Sequence, residues 1–200
     1  MSGAKDRVLV TGGTGKTGGA IARRLTELGL EVRIASRSAR GAGQVRFDWA
    51  DASTHAAALD GVTRVYLVAP GLVDDPAAMM VPFIKRALAS EVRRLVLLGS
   101  SAISDDAPGL GEVARVLRAS APEWAVLRPS WFMQNFLDPA HAHGQTALAD
   151  GTIVTSTAGG RVGFVDVADI AEVGARALAD ERSHDAAHVI TGPQALSYAE

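Results

Sequence analysis

The residues best suited to chemistry stand together near the N-terminus, in Thr11-Gly12-Gly13-Thr14-Gly15-Lys16-Thr17-Gly18. Gly13, Gly15 and Gly18 satisfy the spacing G-x-G-x-x-G, and Gly12, Gly15 and Gly18 satisfy G-x-x-G-x-x-G. Such positions need glycine for steric reasons. One permits a tight turn, one lets the backbone approach a pyrophosphate, and one lets the following helix pack closely on the preceding strand. The pyrophosphate then lies at the positive end of the helix dipole, facing N–H groups with no partner inside the helix. A glycine pattern alone also describes a flexible turn. Here it follows the apolar Val8, Leu9 and Val10 and precedes a segment of helical period, the context in which it marks a dinucleotide site. Gly15-Lys16-Thr17 invites comparison with the phosphate-binding loop of nucleoside triphosphatases. That motif requires a glycine where Val10 stands, and the comparison fails.

Which dinucleotide is preferred is read after the second strand. NAD-dependent enzymes carry Asp or Glu about 20 residues beyond the glycine turn, where the carboxylate holds the ribose 2′-hydroxyl. Ala35-Ser36-Arg37-Ser38 contains no acid. Arg37 offers a fork of donors suited to a 2′-phosphate, with Ser36 beside it and Arg40 close by, so NADP(H) is favoured over NAD(H). Asp48 and Trp49 follow the third strand, where the adenine edge would lie. Asp48 is a candidate acceptor for its amino group, and Trp49 reads either as part of that site or as packing.

Other constellations carry less. His141-Ala142-His143 has the residue types of a metal site but no converging third ligand, and reads as an exposed polar loop. Asp166 and Asp169 read as helix-start residues rather than an acid/base pair. Gly99-Ser100-Ser101-Ala102-Ile103 lacks the second glycine of a nucleophile elbow. No metal is expected.

The elements that must position these residues alternate short apolar runs with segments of helical period, the pattern of βαβ units around a parallel sheet. Strands are predicted over 7–11, 31–36, 45–47, 64–68, 94–98 and 124–128, with a last one over 188–191. Helices are predicted over 17–28, from Ser53 as cap to 59, from Asp75-Pro76 to about 90, over 111–119, and from Asp166 to about 178. Residues 130–137 read as one or two helical turns, 140–151 as irregular, and 153–154 and 162–165 as short strands. The fold class is α/β, a Rossmann-type doubly wound parallel sheet. Residues 1–130 form the NAD(P)-binding domain and 131–200 a small substrate-side region interleaved with it. Residues 197–200 read as a helix barely begun, and a truncated C-terminal piece is expected there.

Composition is that of a globular chain. The 200 residues suffice to bury a core, and 48% hydrophobic with 21% charged residues is ordinary. A formal charge of −2 with scattered arginines gives no basic stripe for nucleic acid. The absence of cysteine excludes a disulfide framework and suits a reducing compartment. The chain opens on no secretory signal and contains no bilayer-length apolar run, so a cytoplasmic location without membrane contact is expected.

Taken with later segments, the glycine turn resembles the NmrA-like branch of the atypical short-chain dehydrogenases/reductases, among them NAD(P)H quinone reductases and ergot-alkaloid-type reductases. The matching segments are Leu127-Arg128-Pro129-Ser130-Trp131-Phe132-Met133-Gln134-Asn135-Phe136, Phe164-Val165-Asp166-Val167-Ala168-Asp169-Ile170-Ala171 and Thr191-Gly192-Pro193. The resemblance spans essentially the whole chain. It implies that Ala69 and Pro70 flank the nicotinamide and that Trp131, Phe132, Asn135 and Phe136 line a substrate pocket. It also implies members longer than this chain. The departure is a missing proton-transfer pair: neither Tyr66 nor Tyr198 is followed by Lys four residues on, as the main short-chain dehydrogenases require. Ser100 or Ser101 stands where those enzymes keep a serine, a position that also suits a helix cap. The expected function is therefore NADPH-dependent hydride transfer to a small acceptor that is already electrophilic, such as a quinone or an iminium ion. The alternative is a non-catalytic NAD(P) sensor that signals to a protein partner.

Overall fold

The computed structural model describes residues 6–71 and 73–200. Seven parallel strands form one sheet in the order β3-β2-β1-β4-β5-β6-β7, with β1 Arg7–Val10, β2 Glu31–Ser36, β3 Gln44–Arg46, β4 Arg64–Leu67, β5 Arg94–Leu98, β6 Glu123–Pro129 and β7 Ala186–Ile190. Among the described residues six α-helices connect them: α1 Lys16–Glu27, α2 His55–Leu59, α3 Ala77–Leu88, α4 Leu110–Ser120, α5 Ala142–Asp150 and α6 Val167–Ala179.

Period-two alternation divides the central strands between two cores. Val8, Val10, Tyr66 and Val96 meet Ile21 and Leu25 of α1 and Ile170, Ala175 and Leu178 of α6. Leu9, Val65, Leu67, Leu95 and Leu97 meet Met80, Phe83 and Ile84 of α3 and Val113 and Leu117 of α4. Both faces of the sheet are thus covered, and its strands read as continuous apolar runs for that reason. The chain winds outward from β1 to β3 and then crosses to β4, so connections leave β1 and β4 in opposite directions. This reversal opens a crevice at the carboxyl ends of those two strands. At the amino ends the sheet is closed by a buried guanidinium, Arg94. It donates to the carbonyls of Leu178 (3.2 Å) and Asp180 (2.5 Å) at the end of α6, and pairs with Glu123 at 2.5 Å.

Several local expectations are corrected. Residues 142–150 are helical, not irregular. The His143 backbone N–H donates to the His141 ring (3.2 Å), and Gly151, in the left-handed region at φ 69°, closes the helix. Residues 153–154 form no strand; Val154 is 70% exposed and no neighbouring strand pairs with it among the described residues. The segment 162–165 contributes only isolated bridges, Val162 to Leu196 and Val165 to Phe132. Asp51, not Ser53, caps the turn before α2, accepting from the Ser53 backbone N–H (3.1 Å) and hydroxyl (2.5 Å). Residues 197–200 form a turn, in which Glu200 accepts from the backbone N–H and hydroxyl of Ser197, both at 2.9 Å.

Candidate functional site

The glycine turn lies where β1 ends against β4. Thr11, fully buried, ties the two strands: its hydroxyl donates to the Tyr66 carbonyl (2.9 Å) and accepts from the Val68 N–H (2.8 Å). Gly12 then takes a φ of 61°, which favours glycine, and an added Cβ would stand 3.2 Å from that of Val68. Gly13 nests against Ile34, whose Cγ2 would lie 2.7 Å from a Cβ. Gly18 lies so close to the turn that a Cβ would stand 2.3 Å from the Gly12 carbonyl oxygen, allowing α1 to start directly behind it. Gly15 differs. Its only tight neighbour is that same oxygen at 3.2 Å, and Gly15 itself lines the crevice.

The crevice encloses about 1080 Å³. Its floor is Gly12, Thr14, Gly15, Lys16 and Thr17. One wall is Ser36 and Arg37 from the end of β2 with Asp48 and Trp49 beyond β3, and the other is Ala69 and Pro70 beyond β4. The first turn of α1 holds no acidic residue and no side-chain cap, so its free N–H groups suit an anion. Arg37 is exposed, and the Ser36 hydroxyl accepts from the Ser38 N–H (3.2 Å) to shape the bend there. One oxygen of Asp48 accepts from the Ala50 N–H (3.0 Å). Trp49 lines the crevice and also packs edge-on against Phe47 and Phe83, with ring centroids 4.9 and 5.2 Å away. Two predicted residues, Gly13 and Gly18, shape the turn without lining the crevice. The crevice thus offers an open floor of N–H groups, a cation at the end of β2 and space along the switch point.

A second cavity of about 280 Å³ adjoins it, lined by Gly99, Ser100, Pro129, Ser130, Trp131 and Asn135, with Lys16 and Phe132 shared between the two. The segment after β6 that forms this wall is tied down three ways. Val165 donates to the Trp131 carbonyl and accepts from the Met133 N–H, both at 2.9 Å. The Gln134 amide donates to Asp166 (2.8 Å) and accepts from the Val167 N–H (3.0 Å), reinforcing the Asp166 cap of α6. The Lys16 ammonium donates to Asn135 Oδ1 (3.0 Å) and pairs with Asp138 Oδ2 (2.6 Å). That pairing holds the Asp138 carboxyl below the usual carboxylate range.

Phe136 lines neither cavity. Its ring is stacked on His143 at 5.8 Å and packed against Phe164 and Tyr198 at 5.5 and 5.9 Å. Neither tyrosine lines the crevice or the adjoining cavity. Tyr66 is fully buried, and burial pushes its phenol far above the ordinary range while the Thr17 hydroxyl pulls the other way. The positioning roles of Thr11, Gln134 and Asp138 were not anticipated. Thr11 heads the glycine motif and Gln134 lies within the segment 127–136 that carries the family resemblance, whereas no sequence signal pointed to Asp138.

Fold and crevice together define a Rossmann-type NAD(P)H-binding domain. The chain belongs to the NAD(P)H-binding family, whose pattern it matches over residues 12–181. It is 45% identical to the uncharacterized oxidoreductase YesF of Bacillus subtilis, over 96% of this chain and 68% of that protein. It is 36% identical to agroclavine dehydrogenase of Claviceps fusiformis, over 96% and 69%. Among solved structures, the fold is shared with a Citrobacter triphenylmethane reductase complexed with NADP(H). The TM-score is 0.80 at 17% identity, covering 96% of this chain and 72% of that one. No described helix is long and apolar enough to cross a membrane.

Proposed function

We propose that the chain is an NADPH-dependent reductase that delivers hydride to a small, already electrophilic acceptor such as a quinone or an iminium ion. The observation that carries this reading is the 280 Å³ cavity, which abuts the crevice and shares Lys16 and Phe132 with it. A protein that only held a dinucleotide would not need a second, partly aromatic cavity beside the carboxyl ends of the strands.

In this reading the N–H groups of the turn over 12–18 hold the pyrophosphate, and Arg37 with Ser36 holds the 2′-phosphate. Asp48 accepts from the adenine amino group, Trp49 borders it, and Ala69 and Pro70 flank the nicotinamide. Bound NADPH supplies the hydride. The protein's own part is positioning: Trp131, Phe132 and Asn135 hold the acceptor, and the tied segment after β6 keeps that wall rigid. A quinone or an iminium ion takes hydride without a strong acid placed beside it, which suits a site that neither tyrosine lines. Phe136 supports the wall from behind through its aromatic neighbours. Residues 131–200 act as the substrate-side region while β7 and α6 remain part of the sheet's architecture.

The test is NADPH oxidation followed at 340 nm against a panel of quinones and cyclic iminium salts. Turnover with at least one acceptor is expected. Tight NADPH binding without turnover across the panel would favour a sensor and overturn the reading.

A further inference from the structure

The acceptor cavity has a charge character that narrows what it takes. Among the described residues lining it, Lys16 is the only charged side chain. Ser100 and Ser130 supply hydroxyls, Asn135 an amide, and Trp131 and Phe132 aromatic faces. Trp131, 37% exposed, offers its ring to the cavity while packing against His141 and His143, ring centroids 5.8 and 5.7 Å away. The Ser100 hydroxyl oxygen accepts from the Ala102 N–H (3.2 Å), leaving its own proton to donate. An ammonium has three donors. Asn135 and Asp138 engage two of the Lys16 donors, which fixes the side chain and leaves the third. Asp138 lies outside the lining, so a molecule within the cavity contacts the ammonium directly, while the carboxylate 2.6 Å from Lys16 Nζ offsets part of its charge. His141, a further titratable group near Lys16, is kept toward its neutral form chiefly by burial, and secondarily by His143 and Lys16.

We infer that Lys16 is a specificity-determining residue, which selects planar aromatic acceptors bearing a carbonyl or anionic oxygen and disfavours cationic ones. This deepens the reading of the site as a reductase and rests on it, since it chooses between the two acceptor classes named there. The oxygen of the acceptor takes the third ammonium donor while the ring lies against Trp131 and Phe132. A cationic acceptor such as an iminium ion would bring like charge to Lys16 and satisfy none of the donors that line the cavity. A charge-assisted hydrogen bond in a partly enclosed site corresponds to roughly ten- to a hundredfold in affinity. Because Asp138 offsets part of the Lys16 charge, the lower end, about tenfold, is expected.

The experiment titrates three naphthalene-sized probes that cannot be reduced by the cofactor, 2-naphthoate, 2-naphthamide and N-methylquinolinium, by calorimetry. Wild type, Lys16→Met and Lys16→Arg are compared, each saturated with NADP+, whose own binding is measured first. Wild type should bind naphthoate most tightly and methylquinolinium most weakly. Lys16→Met should lose about tenfold for naphthoate and narrow the span of the series, the pyridinium charge of NADP+ keeping what remains, and Lys16→Arg should keep the wild-type span. Wild type that binds methylquinolinium as well as naphthoate, or a Lys16→Met series with the wild-type span, would overturn the inference. So would NADP+ binding without binding of any probe. If NADP+ itself fails to bind, the reductase reading falls, and the same titrations without cofactor decide Lys16 by the difference between wild type and Lys16→Met.

Discussion

Cofactor preference turns on one exposed side chain. Arg37 follows β2 directly and lines the wall of the crevice that would face the adenosine ribose. A charge-assisted contact to a phosphate contributes about 1.5–3 kcal/mol net in a sheltered site. Arg37 is exposed, so solvent screening reduces this to about 1–2 kcal/mol, or roughly five- to thirtyfold in dissociation constant. Arg37→Ala should therefore weaken NADPH by that factor and leave NADH nearly unchanged. Ser36→Asp should go further and reverse the preference, because a carboxylate there repels the 2′-phosphate and accepts from the free 2′-hydroxyl of NADH. Raising salt should weaken NADPH more than NADH in wild type, since ions screen a partly exposed contact. The assay is fluorescence titration of both cofactors against wild type and the two variants at two ionic strengths. A wild type that prefers NADH, or an Arg37→Ala variant with unchanged preference, would refute the reasoning and leave Arg37 a surface charge.

Gly18→Ala forces a Cβ to within 2.3 Å of the Gly12 carbonyl oxygen and 2.9 Å of the Gly13 Cα, both backbone atoms that cannot swing away. It should cost about 1–3 kcal/mol in urea unfolding and weaken both dinucleotides alike; unchanged stability and affinity would show that α1 does not depend on this close approach. Phe132 is only partly buried, borders both cavities and packs against the core that includes α1 and α6. Phe132→Ala should lower quinone turnover at least tenfold with NADPH affinity nearly intact, at a stability cost of about 1–2 kcal/mol. Parallel losses of stability and activity, with the surviving folded enzyme fully active, would mark Phe132 as core alone.

The parallel sheet and the glycine turn were legible in the sequence because both rest on local patterns. Apolar runs such as Val65, Tyr66 and Leu67 recur between segments of helical period, and the steric needs of Gly12 and Gly18 have a fixed spacing. The wall after β6 was harder to read. Its position is set by side chains whose partners are far along the chain, Gln134 at the start of α6 and Lys16 at Asn135 and Asp138, and no periodicity announces such ties. The helix over 142–150 escaped for a related reason: its cap is a histidine ring, not one of the usual hydroxyl or carboxylate caps. Phe136 was expected beside Trp131 and Phe132 in the pocket. The single 3-10 turn Met133–Phe136 carries it away into the aromatic group around His143 and Tyr198.

The claim that the turn between β1 and α1 holds the dinucleotide pyrophosphate is tested most directly by calorimetric titration of NADPH into wild type and Gly15→Val. The Gly15 backbone, at φ −88° and ψ −178°, accepts any side chain, and an added Cβ meets only the Gly12 carbonyl oxygen at 3.2 Å. The fold should survive, as circular dichroism would show, while the branched side chain fills the floor of the crevice. Saturable one-to-one binding to wild type and none to the folded variant is the predicted result. Equal affinity in both, or no binding to wild type, would contradict it.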